Sequence, residues 1–357
     1  MCRCAQKEGI EPLVISKTMG VQPYEWPNTV LIPYPKGLQV KGAGRLYKLQ
    51  QKFTGWGHIH QKAYNIRVAQ AIRDKKAESL PVVLHNDPEL SVFLREQFPD
   101  ARIISHFYNQ NTCSEKFRIK FGGSGAPTLS TAVSDFTARW VESYYKVPGG
   151  SVKTLYNGVD CQRFCPAETV PSGAPAVNFV GRISVDKGPD LLLEAALRLA
   201  RSSKDFKLQL LGSTFWGGGA PDKYTQELER LAADLKAQGI EVRIPGFIDR
   251  WELPQELRKA QIHVVPSRWD EPFALSTLEG MATGLATITS STGGTPEAVR
   301  GAGLMFNRDD LDTLTDELTQ MVTDHDLRKR YAALALERAQ EFAWDKIWRR
   351  LRELAGI

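Results

Sequence analysis

The sequence predicts an α/β protein made of two doubly wound domains, each a parallel sheet with helices on its faces. Three observations carry that prediction. Apolar runs of strand length alternate with helical stretches, as in 80–84 then 88–98 and in 177–181 then 190–201. A stretch at 167–176 rich in Pro, Ala, Gly and Ser divides two such series. A length of 357 residues suffices for two domains of ordinary size.

The elements are justified in chain order. Residues 10–16 and 29–32 read as short strands, with the turn-rich Met19 to Asn28 between them. Residues 33–58 are rich in Gly and Lys and read as an ordered loop with a short helix at 45–52, followed by a longer helix over 59–75. Strands at 80–84 and 102–105 end in His85-Asn86-Asp87 and in His106, with the helix 88–98 between them. A strand at 129–133 leads into a helix at 135–145, for which Ser134 is the N-cap. Residues 152–156 close the first sheet, and Asn157-Gly158 makes the turn that follows.

Beyond the linker the alternation resumes through 177–181, 190–201, 207–212, 223–238 and 241–244. Ile262 to Val265 is a buried strand stopped by Pro266, and a helix begins near Ala274 and stops at Gly284. Ala286 to Thr289 is the next strand, and Gly293-Gly294-Thr295 turns into a helix with Pro296 at its first position. One long helix is expected over 332–355, carrying Phe342, Trp344 and Trp348. The expected domains are 1–166 and 167–335, with 336–357 as a C-terminal helix.

Composition excludes several classes. With 42% hydrophobic and 24% charged residues the chain has the proportions of a soluble globular protein, and no apolar run reaches the length of a membrane span. The N-terminus lacks the apolar core of a secretory signal. Five cysteines in no metal-finger pattern, with no histidine pair beside Cys2-Arg3-Cys4 or Cys161 and Cys165, read as free thiols of a reducing cytoplasm. Charge is uneven: residues 1–165 carry a net +9 and residues 166–357 a net −4.

Two places carry chemistry. In the first, Gly181 ends a strand, Arg182 follows, and Lys187 precedes Gly188-Pro189 at the next helix start. Two cations beside a helix N-terminus make an anion site with about the charge a diphosphate needs. In the second, Glu271 lies before a helix N-terminus and Glu279 lies one and a half turns inside it. Ionised carboxylates accept hydrogen bonds from sugar and ribose hydroxyls, and the amides near Phe273, Ala274 and Leu275 suit an anion or hydroxyl oxygen. A site for a sugar joined to a phosphate and a ribose is the natural reading. Asp310-Leu311-Asp312 is formally a D-x-D, but it stands just before a helix and reads as a cap, so no catalytic metal and no cofactor is expected.

The stretches EPFALSTLEGMATG, VNFVGRISVDKGPDLLLEA and VKTLYNGVDCQRFCP resemble, in the same order, retaining nucleotide-sugar glycosyltransferases of glycosyltransferase family 4. The resemblance covers about residue 130 to the C-terminus. It implies the GT-B fold, two Rossmann-like domains facing a cleft, with the last helix crossing back to the first domain. Family members usually open with a strand and a glycine-rich loop that have no counterpart here, so a first domain without its first strand is expected. The resemblance gives Arg182 and Lys187 the donor diphosphate, which they stabilise as a leaving group in place of Mg²⁺. It gives Glu271 hydroxyls of the transferred sugar, Glu279 the ribose, and the turn Pro245-Gly246-Phe247-Ile248-Asp249 the base. His106 becomes the candidate on the acceptor side, with His85, Asn86 and Asn109 weaker. Gly212-Ser213-Thr214-Phe215-Trp216 and the glycines after it form either a flap over the nucleotide or a simple connection.

The expected activity is transfer of a hexose from a nucleotide diphosphate sugar to a saccharide or lipid-linked glycan acceptor in cell-surface polysaccharide synthesis. UDP-glucose or UDP-N-acetylglucosamine is favoured, with a GDP-mannose-dependent mannosyltransferase as the alternative. A sugar-nucleotide-binding protein without transferase activity and a different GT-B enzyme, an epimerase or phosphorylase, are the other readings. Residues 36–76 hold ten Lys and Arg against one acid, Asp74, interleaved with apolar residues. That pattern suits an anionic membrane surface, or else a solvated basic face or an acidic polysaccharide. No nucleic-acid motif accompanies it.

Overall fold

The computed structural model describes residues 1–18, 29–33, 59–169, 172–213 and 223–357. The short helix expected at 45–52, most of the basic stretch, and Thr214 to Gly219 lie outside the described residues. Packing divides the chain into two compact units, Met1–Leu155 with Trp348–Ile357, and Tyr156–Ile347.

In the first unit, α1 (Cys2–Lys7) precedes β1 (Val14–Thr18) and β2 (Thr29–Pro33), which pair in parallel as a two-stranded sheet of their own. Helix α2 (Ile59–Asp74) leads to a parallel sheet of β3 (Val82–His85), β4 (Ile103–Phe107), β5 (Leu129–Ala132) and β6 (Val152–Thr154), in that spatial order. The helices α3 (Pro88–Gln97), α4 (Glu115–Phe121) and α5 (Asp135–Tyr145) connect these strands. Asp87 caps α3, its carboxylate accepting from the Leu90 N–H, and Ser134 caps α5, as its position before an apolar-periodic run requires. α4 was not expected, since a seven-residue helix shows too little periodicity to be seen. At the C-terminus, Arg102 donates to the carbonyls of Ala355 (3.1 Å) and Gly356 (2.9 Å).

The second unit is built on one parallel six-stranded sheet in the order β12-β11-β10-β7-β8-β9. Its elements are β7 (Ala176–Val180), α6 (Pro189–Leu199), β8 (Lys207–Leu211), α7 (Lys223–Ala237), β9 (Glu241–Gly246), α8 (Leu253–Leu257), β10 (Ile262–Val265), α9 (Leu275–Ala282), β11 (Ala286–Ser290), α10 (Thr295–Val299), β12 (Leu304–Phe306), α11 (Leu311–Thr323) and α12 (His325–Gln340). The last helix, α13 (Trp344–Ala355), starts here, and from Trp348 onward it belongs to the first unit. β10 is buried along its length, as an unbroken apolar run in a central strand must be. Helices cover both faces, and Leu192, Leu210, Leu235, Val264, Leu318 and Phe306 belong to one continuous core. Strand order reverses between β7 and β10, and that crevice is where such sheets take ligands.

Two expectations on organisation are corrected. The boundary between units falls after Leu155, not at 166, because the Val159 N–H donates to the Phe342 carbonyl (2.9 Å) and ties 156–166 to the second unit. The single helix expected over 332–355 is broken between Gln340 and Trp344, where Val159 bridges Ala343 and Phe342 is buried at 1% exposure. Chain pairing there takes backbone groups that a continuous helix would need.

Candidate functional site

The loops leaving β7, β10 and β11 meet at the crevice of the second unit. After β7, Gly181 donates its N–H to Leu211, Arg182 follows, and a single 3-10 turn at Val185–Lys187 sets Lys187 just before Gly188. Gly188 is left-handed at φ +65°, and a Cβ there would lie 2.1 Å from the Pro266 carbonyl oxygen. Only glycine lets the β7 loop press against the β10 loop so closely. Pro189 then opens α6, where its missing N–H costs nothing.

After β10, the chain runs through Pro266 and Ser267 to Glu271. Lys187 Nζ forms an ion pair with Glu271 Oε1, which also accepts from the Ser267 hydroxyl at 2.5 Å. The Glu271 side chain is 8% exposed and that of Lys187 21%, so this is a largely dry pair. The Gly294 N–H donates to the Glu271 carbonyl (2.7 Å), and Gly293, left-handed at φ +55°, abuts the same residue, where a Cβ would sit 2.1 Å from its oxygen. Arg182 is already engaged, although the Asp186 carboxylate it meets also feels Lys187. It pairs with Asp186 at 2.8 Å and is more than half exposed. Each cation therefore already has a carboxylate, and an incoming anion competes for both.

Phe273 and Ala274 are buried and Leu275 is half exposed at the start of α9. The first-turn N–H groups of α9 have no acceptor within the helix and carry its positive dipole end. Phe273 stacks on Tyr156 (5.3 Å) and meets Phe342 (5.6 Å), an aromatic trio beneath the helix start that spacing within the sequence cannot reveal. Glu279 is half-buried, and burial pushes its carboxyl up to about 7 against the downward pull of Arg163 and Arg250. Those charges place Glu279 in the field of the turn that carries Ile248, two residues before Arg250. Ile248 itself is half-buried beside the exposed Phe247.

In the first unit, β4 extends through His106 to Phe107, so this histidine lies within the strand and is 1% exposed. Its Nδ1 is 2.8 Å from Thr131 Oγ1, and Nε2 is buried with no partner among the described residues. Burial, with His85 nearby, pushes its imidazole down to about 3, which keeps the ring neutral. His85, in register with His106, bonds the Tyr108 hydroxyl at 2.8 Å, and Asn86 Oδ1 accepts from the N–H groups of Tyr108 and Asn109. His263 is structural: fully buried, it bonds Asn178 Oδ1 at 2.6 Å. Asp310 caps α11 as expected, accepting from the Thr313 N–H.

Sequence reasoning missed Arg268, Asp190, Tyr224 and Asp309, which form one hydrogen-bonded group beside the Lys187 loop. The only signal was an Arg immediately after Pro266-Ser267, and its partners lie 78 and 41 residues away in sequence.

Comparison with known proteins bears on residues 163–338, which match the profile of the family Glycosyl transferases group 1. Spore coat protein SA of Bacillus subtilis (strain 168) is 24% identical over 318 residues, covering 84% of both chains. A D-inositol 3-phosphate glycosyltransferase of Thermobifida fusca (strain YX) is 30% identical over 226 residues, which is 60% of this chain but about half, 51%, of the relative. Among solved structures, sucrose-phosphate synthase from Thermosynechococcus elongatus has a TM-score of 0.71 at 20% identity, covering 99% of this chain and 90% of that one. Anabaena Alr3699/HepE in complex with UDP has a TM-score of 0.67 at 18% identity, covering 83% and 82%. Residues 163–338 thus match a glycosyl transferase group 1 domain, in a chain whose two α/β units have the fold of GT-B glycosyltransferases.

Proposed function

We propose that this protein is a retaining, metal-independent glycosyltransferase of family 4 that moves a hexose from a nucleotide diphosphate sugar to a saccharide or lipid-linked glycan. The observation that carries the reading is the joining of Lys187 to Glu271 across the crevice between β7 and β10, in a domain that matches glycosyl transferases. A cation for a leaving diphosphate and a carboxylate for sugar hydroxyls then stand at one point. Lys187 and Arg182 take the diphosphate beside Gly181, and Glu271 with the amides of Phe273, Ala274 and Leu275 takes the sugar. Glu279 accepts from the ribose hydroxyls, and backbone groups at Ile248 read the base. His106, neutral and with Nε2 unpartnered among the described residues, is the acceptor-side candidate, suited to hydrogen-bond the sugar or orient the acceptor.

The leaving phosphate takes the acceptor proton on the face it departs from, while Lys187 and Arg182 stabilise its charge; this is consistent with retention without a covalent intermediate. A UDP-hexose is favoured as donor, a reading supported by the likeness to a UDP-bound fold. Surface polysaccharide synthesis is the proposed setting, at the inner face of the cytoplasmic membrane. No described helix is long and apolar enough to cross a membrane. Of the basic stretch at 36–76, the described part presents Lys62, Arg67, Arg73, Lys75 and Lys76 as exposed cations on and after α2.

The test is a thermal-shift panel of UDP, GDP and ADP sugars, followed by donor hydrolysis with the anomer of the released sugar read by NMR. A ligand at 100 times its Kd stabilises by about 2.7 kcal/mol, well within reach of the assay. Release of sugar with the donor's anomeric configuration supports the reading. Binding without turnover, with or without acceptor extracts, makes the protein a sugar-nucleotide binder instead.

A further inference from the structure

The segment carrying Lys187 is held in place by Arg268, a residue to which the donor-site reading gives no role. Its main-chain N–H donates to the Asp186 carbonyl (2.9 Å), and its guanidinium donates to the Val185 carbonyl (3.1 Å). The same guanidinium forks onto both oxygens of Asp190 (2.7 and 2.7 Å) and reaches Asp309 Oδ1 (2.6 Å). Asp190 is fixed in turn by the Tyr224 hydroxyl (2.5 Å). Asp309 presents its carboxylate there from a left-handed backbone, φ +61°, a conformation that Asp tolerates better than most non-glycine residues. The Arg268 side chain is 22% exposed, and its charge is already met by two carboxylates, so it is not itself open to an anion.

We infer that Arg268 is a positioning residue for the donor diphosphate. It fixes residues 185–190 so that Lys187 and the N-terminus of α6 face the crevice in one geometry. This rests on reading the β7 and β10 loops as the donor site. The work asked of Arg268 is directional: a planar fork with several donors in fixed directions bridges a main-chain carbonyl and two carboxylates. A lysine supplies the charge and not the geometry.

The experiment compares Arg268→Lys, Arg268→Ala and Asp309→Asn in the full chain. It reads thermal stability without ligand, and calorimetric Kd for whichever nucleoside diphosphate shifts the wild type. Both Arg268 variants are expected to weaken that Kd by about 10- to 100-fold, while Asp309→Asn, which keeps the Asp190 fork, weakens it about 3-fold. Millimolar guanidinium should recover part of the lost affinity in Arg268→Ala and none in Arg268→Lys. Unchanged Kd in folded Arg268 variants overturns the inference. So does a fall in stability with Kd unmoved, which marks a plain brace. If Arg268→Ala fails to fold, unaltered Kd in both Arg268→Lys and Asp309→Asn overturns it equally. A wild type that binds no nucleoside diphosphate overturns the donor-site reading itself, and the positioning role with it.

Discussion

Replacing Glu271 by Gln should tighten binding of a nucleoside diphosphate while it cripples sugar transfer. Without ligand, Lys187 is neutralised by Glu271 in a pair whose side chains are 21% and 8% exposed. A diphosphate entering the crevice must share that lysine and also approach the carboxylate. At an effective dielectric of 20, two like charges about 6 Å apart repel by about 3 kcal/mol, and water and salt at this partly open site reduce that to about 1 kcal/mol. The substituted amide keeps the shape of the carboxylate. Its oxygen can still accept from Ser267, while the main-chain carbonyl stays on the Gly294 N–H. The charge alone is lost, so affinity for the free diphosphate should rise by about 5- to 10-fold.

The sugar side moves the opposite way. A hydrogen bond to an ionised acceptor contributes about 1.5–3 kcal/mol, so exchanging carboxylate for amide should lower turnover by about 10- to 100-fold. Calorimetry with the nucleoside diphosphate and with its sugar conjugate, on wild type and Glu271→Gln, separates the two effects. The ratio of the two affinities should shift toward the bare diphosphate. Weaker binding of the bare diphosphate to the variant would refute the argument, because Glu271 would then be needed to place Lys187 rather than competing for it.

Other outcomes follow from the same geometry. Lys187→Ala should depress turnover more than donor binding, since developing leaving-group charge needs the cation most; equal losses in kcat and Kd would contradict this. Glu279 has its folded pKa raised to about 7, so its neutral form is favoured by folding. The associated stability is present below the unfolded value near 4.5 and lost as pH rises through 7, and Glu279→Gln should therefore flatten a stability profile that falls between pH 5 and 8. Donor affinity in the wild type should rise over that window as the carboxylate ionises and accepts from the ribose, and calorimetry at pH 6 and 8 checks it. Gly188→Ala should cost about 3–4 kcal/mol, combining left-handed strain with overpacking, and should lower both Tm and donor affinity. Neutralising Lys48, Lys52, Lys75 and Lys76 should abolish low-salt co-sedimentation with anionic vesicles; unchanged sedimentation would remove the membrane proposal.

Much of the fold was legible because its signals are local. β10 reads as four consecutive residues of a buried run stopped by Pro266, and α5 as an apolar stripe behind Ser134. Turn glycines announced where the β7 and β11 loops lie, Gly188 in the first and Gly293 in the second. What sequence withheld was pairing at long range. Arg182 and Lys187 read as one anion site from their spacing, but the carboxylates that meet them did not: Asp186 pairs with one, and Glu271, 84 residues on, with the other. The break at Glu341–Ala343 was hidden for the same reason. Its cause is Val159, far earlier in the chain. Propensity across that break favours helix, and a tertiary contact overrides it.

These long-range choices explain why the site tolerates a charged pair that is mostly buried. An ion pair of this kind gives little net stability, because desolvating both partners offsets much of their attraction. The loops are instead placed by backbone packing: Gly188 against the Pro266 carbonyl, and Gly293 against Glu271. With position set by main-chain contacts, Lys187 and Glu271 need not hold the crevice together. They can be separated by a ligand that offers each a better partner, a diphosphate for the ammonium and hydroxyls for the carboxylate. A ligand carrying both groups opens the pair at both ends at once, whereas a bare diphosphate leaves Glu271 unpaired. On the proposed donor-site reading, discrimination for the intact donor over its product would arise from the same pair, and product release would be favoured when Glu271 recaptures Lys187.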